Sequence, residues 1–152
     1  MNRVPLIDRT ATSAERANLL ETINGAFGAT PNMFRAVANS PAALKSMWGS
    51  FSALGAGVID ARLGEQIAVA VANRNDCEYC LAAHTALGRK AGLSAEHLQD
   101  AQDGKSADAK TQAALSFALK LVDLRGQVSD IDVRTLREAG YDDEHIVEIV
   151  AH

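Results

Sequence analysis

Residues 60–93 read DARLGEQIAVAVANRNDCEYCLAAHTALGRKAGL, and they predict two consecutive helices joined by a short turn. Asp60 has a side chain suited to capping the first helix. The apolar residues that follow recur at the spacing of one helix face: Leu63, Ile67, Ala70 and Val71. The polar run over residues 73–76 predicts the turn, and Asp76 is expected to cap a second helix over residues 77–91.

The rest of the chain has the composition of an all-α protein. It contains 28 alanines but only seven aromatic residues, and its three prolines all lie in the first third. Alanine is the best helix former because it loses no side-chain entropy in a helix. Further helices are predicted over residues 14–27, 41–54, 94–101, 107–124 and 129–139, and from residue 142 to the end. Another helix is predicted to begin at Pro31. We therefore expect a compact helical bundle.

The chain has the length of one domain, and we predict a single domain over residues 1–152. Its last helix stops at His152 while the apolar face still continues, so we expect this helix to be truncated. A chain so rich in alanine is expected to leave some apolar helix faces exposed. These faces favour association with further copies of the chain in a closed symmetric oligomer.

Composition and charge exclude several classes of protein. Apolar residues make up 47% of the chain and charged residues 22%, which is typical of a globular protein and not of a disordered one. The net charge is −4 and no Lys/Arg cluster stands out, so nucleic-acid binding is not expected. Apolar runs are short and the N-terminus lacks a signal-peptide layout, which favours the cytoplasm without a membrane partner.

The second predicted helix carries a set of residues suited to thiol chemistry. Cys77, Cys80 and His84 share one helix face at i, i+3 and i+7. A helix N-terminus favours a thiolate over a thiol, and His84 can accept the thiol proton. Glu65, on the preceding helix, is expected to lie close enough to orient the imidazole. Nucleophile, base and orienting carboxylate together make an activated nucleophile.

The second thiol allows a further reaction step after the first thiol has been oxidised. A thiolate that attacks a peroxide becomes a sulfenic acid, which a neighbouring thiol condenses into a disulfide that another dithiol must reduce. The spacing therefore supports peroxide reduction, disulfide exchange or both. A structural zinc site needs four ligands, whereas Cys77, Cys80 and His84 supply three and no second CxxC exists, so we expect no metal. Two buried structural cysteines are the other alternative.

The arrangement of Glu65, eleven residues, CEYC at 77–80, three residues and His84 resembles the alkylhydroperoxidase D-like family of the carboxymuconolactone decarboxylase superfamily. The run CEYCLAAHTALGRKAGLS looks like its peroxidase-related branch. The resemblance covers roughly residues 30–152 and is most specific over residues 60–93. It implies an all-α fold without a cofactor, with Cys80 as the attacking thiol, Cys77 as the resolving thiol, and His84 with Glu65 as the proton relay.

Two features of the family bear on the expected activity. Its decarboxylase members lack the cysteine pair, so decarboxylation is not implied here. Some members carry a histidine between the two cysteines that joins the relay, whereas this chain has Glu78 and Tyr79. Tyrosine can form a hydrogen bond, but it does not exchange protons near neutral pH. The other histidines, His97 and His145, lie in charged segments and are interpreted as surface residues.

Three functional hypotheses follow. The first is a thiol peroxidase that acts on small organic hydroperoxides or hydrogen peroxide. The second is a disulfide reductase or redox partner with little peroxidase activity, and the third is a redox-sensing oligomeric domain. The resemblance further implies a dithiol reductant, which in the family can be a lipoyl-bearing protein, and a homo-oligomer that we predict to be a hexamer, with a trimer as the alternative.

Overall fold

A computed structural model describes residues 3–152, and over these residues the chain is helical without β-strands. The elements are α1 (Ala14–Phe27), α2 (Asn32–Val37), α3 (Pro41–Leu54), α4 (Ala61–Arg74), α5 (Glu78–Lys90), α6 (Ala95–Gln102), α7 (Ala109–Asp123), α8 (Asp130–Glu138) and α9 (Asp143–Ala151). The predicted all-α fold is confirmed. None of the helices described is long and apolar enough to cross a membrane.

The chain divides into two compact units, the first of which extends through Ala53. Its core is formed by α1, α2 and the first turns of α3, with fully buried side chains at Leu20, Ile23, Phe34, Ala38 and Leu44. Phe34 lies at the centre of an aromatic cluster, and its ring contacts those of Phe27, Trp48 and Phe51.

The second unit, Leu54–His152, contains α4 to α9, and α4 lies at its centre. This helix packs against α5, α6 and α7, so it is buried on most sides. Its buried residues are Gly64, Gln66, Ile67, Val69, Ala70 and Ala72. Burial on several faces explains the unbroken apolar run IAVAVA over residues 67–72 of α4. The prediction of one domain over residues 1–152 stays a prediction.

Polar caps fix where the helices of the second unit begin. The Asp60 carboxylate accepts the backbone N–H of Leu63 at 2.8 Å, as predicted for the start of α4. The predicted start of the longest helix, α7, was wrong by two residues. Asp108, whose carboxylate accepts the N–H of Thr111 at 2.7 Å, holds the cap, so α7 begins at Ala109.

The start of α5 also differs from the prediction, which placed its cap at Asp76. The N–H of Cys77 donates to the carbonyl of Ala72 at 3.0 Å, and this bond closes α4 with Asp76 in the left-handed region at φ 51°. An N-cap residue has extended backbone, so Asp76 cannot cap α5 from that conformation. Cys77 takes the position instead, and its Sγ accepts the N–H of Cys80 at 3.3 Å.

A glycine allows α5 to lie close to its neighbours. A Cβ atom added at Gly88 would lie 2.7 Å from Cδ2 of Leu98, 3.2 Å from Cδ1 of Leu93 and 3.6 Å from Cβ of Glu65. Both leucines are buried. The missing side chain at Gly88 therefore leaves room for the side chains of Leu93 and Leu98 against α5.

We expect Gly88→Ala to lower the free energy of unfolding by about 1 kcal/mol. Overpacking against the two leucines costs about 1–3 kcal/mol, and the better helix propensity of alanine offsets about 1 kcal/mol of that cost. Gly49→Ala, in α3, is the matched control, because a Cβ there contacts nothing within 4 Å. The control should raise the free energy of unfolding by up to about 1 kcal/mol in urea titrations. Equal stabilisation of both variants would contradict the close approach at Gly88.

Candidate active site

The two cysteines lie at the N-terminal end of α5 and are joined as a disulfide. Their Cα atoms are 5.3 Å apart, and both residues are half-buried. Cys77 is the N-cap residue and Cys80 lies in the first turn. The structure thus represents the oxidised form of the Cys77–Cys80 pair.

The helix N-terminus acts on the two sulfur atoms differently. The N–H of Cys80 points to Sγ of Cys77 and donates to it, as the backbone of a first helical turn does to any N-cap acceptor. Together with the positive end of the helix dipole, this bond stabilises negative charge on Cys77. Cys77 is therefore the sulfur of the pair that the helix itself favours as a thiolate.

Glu65 and His84 form a hydrogen-bonded pair between α4 and α5. Oε2 of Glu65 lies 2.9 Å from Nδ1 of His84, and the two side chains keep 21% and 26% of their surface exposed. A carboxylate accepts at this position, so the neutral imidazole carries its proton on Nδ1 and its lone pair on Nε2. His84 lies one helical turn after Cys80 on α5. The pair thus provides an oriented proton acceptor on the helix that carries both cysteines.

The local sequence explains why Glu65 reaches His84. Glu65 follows the buried Gly64 in the first half of α4 and is itself half-buried, where an unpaired carboxylate would be costly. Gly88, one turn beyond His84, also faces α4, and a Cβ there would lie in ordinary contact with Cβ of Glu65, at 3.6 Å. The structure thus brings Glu65 and His84 together and joins Cys77 to Cys80; the catalytic roles of the four residues stay predictions.

The residues between the cysteines face the solvent. Glu78 is exposed, and Tyr79 keeps 52% of its surface accessible. Within residues 3–152, neither side chain makes a hydrogen bond to another residue.

Two further histidines, His97 and His145, lie elsewhere in the second unit. His97 is exposed and its Nδ1 lies 2.9 Å from Oγ of Ser94, while His145 is half-buried and its Nδ1 lies 2.6 Å from the Asp142 carboxylate. Both histidines line a cavity of about 430 Å³, and neither cysteine is among its lining residues. The pKa of Tyr141 in this cavity is raised to about 12, first by burial and then by the charges of Asp108 and Asp60. The predicted surface position holds for His97 but only in part for His145.

Sequence reasoning missed one contact beside this site. The imidazole of His152 lies next to Gly64, with its Cε1 3.3 Å from the place where a Cβ of Gly64 would be. Gly64 immediately precedes Glu65. No local pattern could have shown this contact, because it joins residues 88 positions apart in the chain.

The model of the carboxymuconolactone decarboxylase family matches residues 41–124, more than half of the chain and all of the site described above. The chain belongs to this family. The match confirms the resemblance inferred from Glu65, the CEYC run and His84. No curated protein matches the chain.

Two solved structures resemble this member of the carboxymuconolactone decarboxylase family along nearly its whole length. One is an uncharacterized peroxidase-related protein from Silicibacter sp. TM1040, which is 25% identical, with 99% of this chain and 80% of that chain covered and a TM-score of 0.86. The other is an alkylhydroperoxidase AhpD core, an uncharacterized peroxidase-related protein from Ralstonia eutropha JMP134. It is 26% identical over 98% of this chain and 81% of that chain, with a TM-score of 0.87.

These relatives and the CxxC pair fit a peroxidase. The carboxymuconolactone decarboxylase family also includes decarboxylases, so membership by itself does not decide between the two activities. The disulfide and the Glu65–His84 pair are the features of this member that bear on the choice.

Proposed function

We propose that this protein is a thiol-dependent peroxidase that reduces alkyl hydroperoxides or hydrogen peroxide without a cofactor. The observation that carries the proposal is the Cys77–Cys80 disulfide at the N-terminus of α5. It is followed one turn later by the His84 imidazole, which is hydrogen-bonded to Glu65. Both structural relatives are described as peroxidase-related proteins, which supports the same class of substrate.

In the first step, the Cys80 thiolate attacks the terminal oxygen of the peroxide. His84 has accepted the thiol proton on Nε2, and Glu65 stabilises the resulting imidazolium through Nδ1. An S–O bond forms as the O–O bond breaks, and the leaving alkoxide takes the proton back from His84. The peroxide is reduced to an alcohol, or to water, while the sulfur is oxidised to a sulfenic acid.

In the second step, the sulfur of Cys77 attacks the sulfenic sulfur of Cys80. The S–S bond forms, the S–O bond breaks, and water leaves with the proton of the Cys77 thiol. The product is the disulfide that the structure contains.

A dithiol reductant restores the cycle by two thiol–disulfide exchanges. We propose that the reductant attacks Cys80, because the Cys80 N–H and the helix dipole stabilise Cys77 as the departing thiolate. A lipoyl-bearing protein is one reductant of this kind. We further propose that the protein forms a hexamer, or alternatively a trimer. We place it in the cytoplasm, because a reducing compartment returns such a disulfide to two thiols.

A second candidate function is supported by Glu78 and Tyr79, since some family members carry a relay histidine between the two cysteines and this chain has none. Without that histidine, the pair would serve as a disulfide reductase or a redox-sensing element with little peroxidase activity. Both candidates require the Cys77–Cys80 pair to cycle, and they differ only in whether a peroxide oxidises it.

Titration of thiols before and after one equivalent of organic hydroperoxide tests the proposal. We expect the fully reduced protein to lose two thiols for each peroxide molecule that it converts to the alcohol. This reaction should be faster than that of free dithiothreitol at the same thiol concentration. The Cys77→Ser/Cys80→Ser double variant is the control and should consume nothing. Peroxide loss no faster than that of the free dithiol, with rapid exchange against a disulfide substrate, would favour the second candidate.

A further inference from the structure

The cavity of about 430 Å³ in the second unit has the size and lining of a small-molecule site. It lies between α4, α6, α7 and α9, and neither cysteine is among its lining residues. Part of its wall is apolar: Ile59, Leu93 and Tyr141 are buried there, and Leu63 is half-buried. The cavity can therefore take up the carbon chain of a ligand.

A buried amide in the cavity wall has an acceptor to spare. Gln66 is 7% exposed, and its Nε2 donates to the carbonyl of Arg62 at 3.2 Å, while its Oε1 accepts no hydrogen bond within residues 3–152. In that part of the chain, Nε of Arg16 is the single enclosed side-chain polar atom without a partner, so Oε1 of Gln66 is open to the cavity. A buried amide oxygen is stabilised by a donor, and a hydroxyl group can supply one.

Two cations on the rim of the cavity have no acidic partner. Arg62 and Lys110 are exposed lining residues, and neither forms a salt bridge within residues 3–152. Arg62 donates to the carbonyl of Gly92 at 2.8 Å through Nη1, and Nζ of Lys110 lies 4.6 Å from the centre of the Tyr141 ring. The other guanidinium donors and the ammonium group remain available to an anion.

The two carboxylates that line the cavity are already engaged. Asp60 accepts the N–H of Leu63 at 2.8 Å, and Asp108 accepts that of Thr111 at 2.7 Å. Each carboxylate thus lies at the N-terminus of a helix, α4 or α7, where the positive end of the helix dipole compensates its charge. The two rim cations are therefore the charges that remain for a ligand.

We propose that this cavity binds a small organic acid that carries a hydroxyl group several carbon atoms away from its carboxylate. Arg62 and Lys110 bind the carboxylate at the rim, and the apolar wall contacts the carbon chain. Oε1 of Gln66 accepts the hydrogen bond of the hydroxyl group inside the cavity. The binding site is separate from the Cys77–Cys80 pair, so it does not depend on the proposed peroxidase activity.

NMR titration of the oxidised full chain with three six-carbon probes tests the proposal. The probes are 6-hydroxyhexanoate, hexanoate, which lacks the hydroxyl group, and 1,6-hexanediol, which lacks the charge. We expect 6-hydroxyhexanoate to bind about 3- to 10-fold more tightly than either of the others, with amide shifts at the residues that line the cavity. Equal affinities of the three probes, no saturable binding, or shifts confined to other parts of the chain would overturn the proposal.

Gln66→Met tests the assignment of the hydroxyl group. Methionine keeps the length of the side chain but offers no amide oxygen, so 6-hydroxyhexanoate should lose its advantage and bind no more tightly than hexanoate. The thermal unfolding curve establishes that this buried variant is folded. A folded variant that keeps the native ratio of the two affinities would contradict the role of Gln66.

Lys110→Met tests the assignment of the carboxylate at an exposed position. We expect both acids to bind about two- to fivefold more weakly, while the affinity for 1,6-hexanediol stays the same. Lys90→Met is the matched control, because Lys90 is exposed at the end of α5 and does not line the cavity. An equal loss in both variants would mean that net charge alone attracts the acids, and the site would have to be abandoned.

Discussion

Replacement of Cys80 by serine should abolish peroxide consumption, whereas replacement of Cys77 should leave a single rapid turnover. Cys80 precedes His84 by one helical turn, so the imidazole supplies both a proton acceptor and an electrostatic field to this sulfur. Cys77→Ser should therefore still yield one sulfenic acid that dimedone traps, but no sustained turnover, because the resolving thiol is missing. Rapid-quench peroxide assays and mass spectrometry of the dimedone adduct measure both outcomes.

Two effects favour different cysteines as the attacking thiolate: the helix N-terminus favours Cys77, and the nearby base His84 favours Cys80. Sγ of Cys77 accepts the Cys80 N–H and lies nearest the positive end of the helix dipole, which by itself would make Cys77 the better thiolate. We assign the attack to Cys80 because a proton must also be removed and returned within the step. Sulfenic acid formation that survives Cys80→Ser but is lost in Cys77→Ser would reverse the assignment.

In the proposed cycle, the same geometry suits each sulfur to a separate stage. A stabilised thiolate is a good leaving group but a weaker nucleophile, since nucleophilicity falls with the thiol pKa. Cys77 at the N-cap thus suits departure during reduction of the disulfide, and Cys80 beside the base suits attack on the peroxide. Both roles use one turn of α5, which explains why the pair is spaced by three residues.

Much of the second unit could be predicted from local sequence signals. The start of α4 followed from Asp60, and the pairing of α4 with α5 followed from the short polar turn between them. Both depend on residues within one or two turns of each other, where capping and hydrogen-bonding preferences are strong. The same locality explains why Glu65 could be expected near His84.

Prediction from the sequence failed where two local preferences competed, or where two residues in contact are far apart in the chain. Asp76 has a good capping side chain, yet the bond from Cys77 to Ala72 that closes α4 places it in the left-handed region. The contact between His152 and Gly64 left no periodic signal, since it depends on how α9 packs in the second unit. Helix closure and tertiary packing, rather than propensity, decided these positions.

Glu65→Gln and His84→Ala should each slow the first oxidation of Cys80, and the double variant should be little slower than His84→Ala alone. Loss of the proton acceptor in His84→Ala removes a contribution of about 10²–10⁴-fold to the rate. Glu65→Gln keeps the shape of the side chain but removes its charge, so the His84 imidazolium is less well stabilised and the loss should be smaller. Stopped-flow measurement of the single-turnover rate with organic hydroperoxide provides all three values.

The decisive quantity is the difference between the rate loss of the double variant and the summed losses of the two single variants in free energy. If two residues act as one unit, removing the second after the first costs little more. Glu65 can act on Cys80 only through His84 if the 2.9 Å hydrogen bond is its route to the reaction. Glu96→Gln, an exposed carboxylate in the first turn of α6, is the matched control for the loss of one negative charge and should leave the rate unchanged. Fully additive effects of Glu65→Gln and His84→Ala would mean that Glu65 acts on the thiol or the peroxide independently, and the relay would have to be abandoned.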